Sequence, residues 1–392
     1  MRHQAFPHVF YWVAALGITG LGGSAACAAD GAAPRPPPQI CINEVCTDEG
    51  AVPAAGTLKW HPGHYMRIIA RHRDPAKELP QIELLRNEPA VRGVMVAWLW
   101  RHIEKSKGVY DFSSIDTYLN KVKSLGPSKR LIIRIEERGF SSPTTTSVPD
   151  YLKTEPIYNG GEAIMGNGTV ARIWEAPVMD RLIALYKALG ERYDRDPYVE
   201  GISTSETAIT FSSTYPAPSS YTTAAVLTQF KRHLTAIRTY WPRSQIFVST
   251  NYLGTDGQME ELIKHSQKTH SAVGGPDVWT RAWVESGKRA LQSDEVVRGQ
   301  RGSGTDYRGA IAIKAEVQAP ELGGYIAEFT AEELYDVAYN INRSNYILWD
   351  RNDYVGGPAS RWATGILPLI RKVGGKTVTE CPRSFQGRCN TQ

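Results

Sequence analysis

The sequence is poor in features that would mark it at once. Its 392 residues contain only five cysteines, and its formal charge of +5 is scattered along the chain. No block of like charge is present, and such a block is what draws a protein to nucleic acid or to an anionic bilayer. No nucleic-acid partner is therefore expected. Past the N-terminus there is no run of about 18 apolar residues, which excludes a helical membrane span there. A Gly-rich phosphate loop, a kinase motif and a G-x-S-x-G elbow are all missing. No organic cofactor is expected.

What is present begins with an export pattern. Arg2 and His3 precede an apolar run from Phe10 to Leu21, followed by the small residues "GGSAACAAD" with Ala-x-Ala sites ending near Ala28 or Ala29. This predicts a signal peptide over 1–28 and a periplasmic or secreted protein. Cys27 offers lipid attachment as an alternative, but "GSAAC" lacks the Leu that such a site carries three residues earlier. The stretch 29–56 opens with "DGAAPRPPPQ" and reads as a Pro/Ala-rich linker and N-terminal segment. Once Cys27 leaves with the signal, Cys41, Cys46, Cys381 and Cys389 remain. Local pairs Cys41–Cys46 and Cys381–Cys389 suit an exported chain. A zinc site is the alternative, though the spacings are not those of structural zinc knuckles.

From residue 57 short apolar runs alternate with longer helical patterns. Strands are predicted at "TLKWHPG" (57–63), "VRGVMVAWLW" (91–100), "RLIIRIEE" (130–137) and "VEGISTSE" (199–206). Four more fall at "QIFVSTNY" (245–252), "SAVGGPDV" (271–278), "GAIAIKAEVQ" (309–318) and "NYILWDRN" (345–352). Helical patterns with apolar residues three and four apart lie between them. Eight such units over about 320 residues predict a (β/α)8 TIM barrel in a single domain, 57–375, with 376–392 as a disulfide-bearing tail. A monomer is expected.

In a parallel barrel every strand ends at the same mouth, so the residues closing the strands are candidates for chemistry. "GISTSE" stops at Glu206, and "AIAIKAE" turns polar at Lys314 and Glu316. Two carboxyls on nearly opposite strands are what glycoside cleavage requires: one protonates the leaving oxygen, the other attacks the anomeric carbon or activates water. Arg101 and Arg134 are candidate cations for keeping one of them ionised. Glu136 and Glu137 either touch substrate or pair with Arg134 and Arg138, and Glu328 is a rival for the attacking carboxylate. The long loops 139–173 and 208–222 would wall a cleft. With ten Trp and nineteen Tyr, the chain has flat faces that could stack on sugar rings.

At this point the chain resembles the clan A retaining glycoside hydrolases. "WRHIEKSKGVYDFSSIDTYLNKVKSLG" (100–126) is similar to the second βα unit of those barrels, "VPDYL" (148–152) to their third loop, and Trp349 to their aromatic on strand eight. The resemblance implies Glu206 as general acid/base and Glu316 as nucleophile, acting on a β-linked oligo- or polysaccharide. It departs at Ser205, where those enzymes place the Asn that binds the sugar 2-hydroxyl. His61, Ser205, Asn251, Tyr252 and Trp349 complete the expected sugar-binding set with Arg101 and Arg134.

Two other readings stay open. One is a sugar-binding barrel without catalysis, since fold does not dictate activity. The other is a metal-dependent hydrolase using His61 and His64 after strand one with Asp350 on strand eight. That arrangement lacks ligands at the ends of strands five and six.

Overall fold

The computed structural model describes residues 56–69, 74–140, 144–166, 168–280, 291–318, 330–351 and 362–391, and the backbone of a hairpin pairing Gln39–Ile42 with Val45–Asp48. The signal, the Cys27 lipid site, the start of the linker and Glu328 lie outside the described residues. Cys41 stands opposite Cys46 in the hairpin register; their side chains also lie outside the described residues.

The barrel strands are β1 Gly63–Ile68, β2 Val91–Leu99, β3 Arg130–Glu136, β4 Val199–Glu206, β5 Gln245–Ser249, β6 Ala272–Gly274, β7 Ala312–Val317 and β8 Tyr346–Asp350. They pair in parallel and close on themselves, β8 against β1. Each is followed by a helix: α1 Pro75–Glu83, α2 Ser113–Ser124, α3 Ala176–Tyr193, α4 Thr223–Tyr240, α5 Asp256–Lys268, α6 Gln292–Val297, α7 Ala331–Asp336 and α8 Leu367–Lys372. The fold is the (β/α)8 barrel. No helix among the described residues is long and apolar enough to cross a membrane.

Local sequence explains the elements. Helices α5 and α7 both begin on a capping box, Thr255 with Gln258 and Thr330 with Glu333, which satisfies free backbone donors of the first turn. Helix α3 spaces Val178, Leu182, Leu185 and Leu189 along one buried stripe. Along the strands, parity sorts the side chains. Ile133, Ile135, Val248, Ile313, Val317 and Ile347 join the layer between sheet and helices, whereas Tyr65, Met95, Ile132, Phe247, Tyr346 and Leu348 fill the barrel interior.

Two strands differ from the expectation. "TLKW" does form a strand, but only Leu58–Lys59, which pairs in parallel with Cys389–Asn390 outside the barrel. The barrel's first strand is "GHYMRI", whose polar look comes from a buried His64 and an Arg67 that turns inward. Strand β6 is three residues long, not eight. It passes so close to β7 that a Cβ on Gly274 would sit 1.7 Å from the Lys314 carbonyl oxygen.

The N-terminal end of the barrel is closed by a floor. Trp60 packs edge-on against Tyr346 and Phe385, each ring centre 5.6 Å away. Cys381 and Cys389 are joined in a disulfide. The tail thus belongs to the barrel's packing.

Candidate active site

At the opposite end, the inward positions turn from apolar to charged. On β3, Ile132 is followed two residues on by Arg134 and two further by Glu136; on β7, Ala312 gives way to Lys314 and Glu316. Arg67 enters from β1 and Asp350 from β8.

Glu316 is their meeting point. It has no exposed surface. Arg134 Nη1 donates to Oε1 at 2.8 Å and to Oε2 at 3.0 Å. Arg67 Nη2 stands 3.1 Å from Oε2, and the Ser249 hydroxyl donates to Oε1 at 3.1 Å. Lys314 Nζ bonds both Oε1 and, at 3.0 Å, Ser249 Oγ. Burial alone would push this carboxyl up, but Arg134, Lys314 and Arg67 overcome that and hold it well below the usual carboxylate range. Burial drives the Lys314 ammonium down to about 8, against the pull of Glu316 and with the repulsion of Arg134 and Arg67.

Glu206 closes β4 and lies opposite Ser249 of β5 in the strand register. Adjacent strands run about 4.8 Å apart. Ser249 is thus the neighbour of one glutamate and a donor to the other, so both carboxyls belong to the same end of the barrel. The surroundings of Glu206 differ from those of Glu316. It is 9% exposed and accepts 2.6 Å from Asn251 Nδ2. Burial pushes its carboxyl up to about 7; Arg138, Asn251 and Arg134 pull the other way, while Asp277 adds to the rise. One glutamate is therefore held ionised, and the other keeps its proton to near neutrality.

The remaining candidates divide. Arg134 bridges Glu136 and Glu316, and Glu137 pairs with Arg138. Ser205 turns into the β3–β4 wall, donating to Glu136 Oε2 at 2.8 Å. Tyr252 is 42% exposed beside Asn251. Arg101 faces Asp150 across 3.7 Å on a partly exposed rim and contacts neither carboxyl.

Two candidates sit elsewhere. His61 precedes β1 and lies at the floor, where its Nδ1 bonds Glu200 at 2.6 Å and its Nε2 is 3.2 Å from Arg130, both at strand beginnings. Its placement at the mouth followed from setting strand one too early. Trp349 is fully covered and faces the helix layer, its Nε1 donating to His64 Nδ1 at 2.9 Å. On β8 the inward positions are Leu348 and Asp350, so parity turns the tryptophan away from any sugar. His61 and His64 therefore do not converge. Among the described residues no group of three or more His, Cys, Asp or Glu is disposed to hold a metal. A groove of about 860 Å³, lined by Pro62, Arg92, Arg343 and residues 373–380, opens near the floor and belongs to a different region.

Sequence reasoning passed over Arg67, Ser249 and Asp277, and gave Arg138 only as an ion-pair partner, which it is to Glu137. A signal for Arg67 existed: in "HYMRI" it keeps step with the inward Tyr65.

No protein-family model matches the chain, and no curated protein matches it in sequence. Solved structures do resemble it. A GH5_18 protein of Streptomyces cattleya in complex with Manb1-4GlcNAc superposes with a TM-score of 0.51 at 12% identity, over 83% of this chain and 83% of that one. The β-galactosidase of Bacillus circulans sp. alkalophilus gives 0.52 at 11% identity, over 83% of this chain and 57% of that one. Endo-glycoceramidase II of a Rhodococcus species gives 0.50 at 13% identity, over 80% of each. At these identities the likeness is one of fold.

Proposed function

We propose that this protein is an exported glycoside hydrolase that cleaves β-linked oligo- or polysaccharide with retention of anomeric configuration. The observation that carries the reading is the opposed treatment of two carboxyls at one barrel mouth: Glu206 proton-bearing to about pH 7, Glu316 ionised by three cations. Unequal environments of this kind divide acid from nucleophile. Barrels that cleave glycosides share the fold, which supports the reading by analogy. Export rests on the N-terminal pattern and the disulfide.

In the first step Glu206 gives its proton to the glycosidic oxygen as the bond to the anomeric carbon breaks. Glu316 takes that carbon as an ester. Oε2, with two donors against three on Oε1, is the less encumbered oxygen. Glu206, now ionised, takes a proton from water as the water oxygen bonds to the anomeric carbon and the ester C–O bond breaks. This releases the sugar and restores the Glu316 carboxylate and the protonated Glu206. Arg134 faces both carboxyls and stays beside the negative charge as it moves from Glu316 to Glu206.

A second reading has its own support. The complete enclosure of Glu316 also suits a structural ion-pair hub in a barrel that binds sugar without cutting it. Incubation with bacterial exopolysaccharides and plant or fungal β-glycans, with mass analysis of products and NMR of the first anomer released, separates the two. Glu206→Gln and Glu316→Gln, assayed on folded protein, are expected to lower turnover roughly 10²–10⁴-fold. Near-normal rates in either variant would remove that residue from the mechanism. Binding without cleavage would leave the second reading standing.

A further inference from the structure

Asn251 is held more firmly than a residue in a loop after a strand needs to be. Its backbone N–H donates to Thr207 Oγ1 at 2.9 Å, and its carbonyl accepts from the Ser293 N–H at 3.2 Å. The side chain is 8% exposed and spends its amide N–H on Glu206 Oε2. The other end of that amide, Oδ1, is buried with no hydrogen-bond partner. A buried acceptor left without a donor is costly and calls for an explanation. The residue before the acid gives no substitute contact, because the Ser205 hydroxyl is already committed to Glu136.

We propose that Asn251 decides which oxygen of Glu206 carries the transferable proton, and that its free carbonyl oxygen receives a hydrogen-bond donor of the sugar, either a hydroxyl or an amide N–H. The proposal rests on the reading of Glu206 as general acid. In a neutral carboxyl the carbonyl oxygen is the better acceptor. An amide donor fixed on Oε2 therefore makes Oε2 the carbonyl and leaves the O–H on Oε1, turned away from Asn251. Oδ1 belongs to the same planar amide and lies beside the acid. The donor assigned to it is one on a sugar seated at the bond that Glu206 protonates. A ring oxygen or a deoxygenated carbon has nothing to give it. Asn251 is thus a positioning residue for the acid and a specificity contact for the substrate.

The proton of Glu206 also feels Arg138 beyond β3, Arg134 on β3 and Asp277 beyond β6. Loss of the Asn251 donor removes one influence that favours ionisation, so the acid should hold its proton to higher pH.

The test is a carbon-13 NMR titration of the Glu206 carboxyl, its resonance assigned by loss in Glu206→Gln. The wild-type midpoint is expected near 7, and Asn251→Leu should raise it by about half a pH unit or more. Asn251→Ala is the second variant should leucine disturb the fold. An unchanged midpoint overturns the proton-placing role. In parallel, 4-nitrophenyl β-glycosides of glucose, galactose, mannose and N-acetylglucosamine are assayed, and the one that is cleaved is followed with its deoxy analogues. One deoxygenation, or replacement of the acetamido group, should cost the wild type about tenfold or more in kcat/KM and leave Asn251→Leu unaffected. If every analogue loses equally in both proteins, the acceptor role falls. If the wild type cleaves neither these glycosides nor the exopolysaccharides and β-glycans, the hydrolase reading fails and the acceptor role with it, while the titration still decides whether Asn251 governs Glu206.

Discussion

Glu200 at the floor of the barrel and Glu316 at its mouth are both without exposed surface, yet they are stabilised by different means. Glu200 is met by the backbone N–H and ring of His61 and by the Tyr346 hydroxyl at 2.7 Å. The Tyr65 hydroxyl in turn donates to the His61 carbonyl at 2.8 Å. Burial pushes the Glu200 carboxyl up, and the bonds from His61 and Tyr346 bring it below its ordinary value. Around it lie Trp60 and Phe385, so the floor is a packed polar knot under an aromatic cover. At the mouth, Glu316 is held by Arg67, Arg134 and Lys314, and a few residues away Asn251 keeps a bare oxygen. Buried polar atoms without a partner occur at both ends, Arg130 Nε and Gln245 Oε1 near the floor and Arg67 Nε, Thr250 Oγ1 and Asn251 Oδ1 near the mouth; the mouth differs in setting two carboxyls at odds. A barrel can bury acids at both ends, and unequal protonation of two neighbouring carboxyls, the condition for dividing acid from nucleophile, is found at the mouth.

Substitutions at the two ends should therefore separate stability from turnover. The largest effect is expected from Trp60→Ala at the floor, which removes a fully buried indole and should cost about 3–5 kcal/mol in urea unfolding. The kcat/KM per folded molecule should stay at the wild-type value; a parallel fall in rate would break the division between the ends. Next comes Cys381→Ser. Opening the loop between Cys381 and Cys389, eight residues apart, should lower stability by about 2.5 kcal/mol, read as a drop in the urea midpoint that reductant reproduces in the wild type. The smallest effect is expected from Trp349→Phe, which loses the bond to His64. Unfolding should become easier by about 1 kcal/mol, with little change in rate. A loss of turnover well beyond the loss of stability would return Trp349 to the sugar.

The barrel was legible because its elements repeat two periods: apolar runs where strands are covered on both faces, and three-four spacing where helices lie on them. The ends of β4 and β7 stood out as well, since an apolar run that stops at an acid has few structural excuses. The pairing of Arg134 with Glu136 followed the same two-residue step. Parity and register were harder to read. Whether Trp349 looks inward depends on Leu348 and Asp350 taking that face. "TLKW" alternates well enough to pass for the first barrel strand, whereas the true strand hides behind an inward arginine. His61 was carried to the wrong end by that one displacement. The close spacing of β6 and β7 could not be read from a run broken by Gly274, Gly275 and Pro276, because it depends on what the neighbouring backbone leaves free.

The floor has a consequence for how the molecule comes into being. Its last pieces, Phe385 and the Cys389–Asn390 strand, follow all eight barrel strands in the chain. A polypeptide emerging N-terminus first from a ribosome or a translocation pore therefore carries a ring whose underside is uncovered until residue 390 is out. Strand closure and floor closure are separate events in time, and a chaperone or protease that inspects the nascent protein would find Trp60 and Tyr346 open to it in the interval.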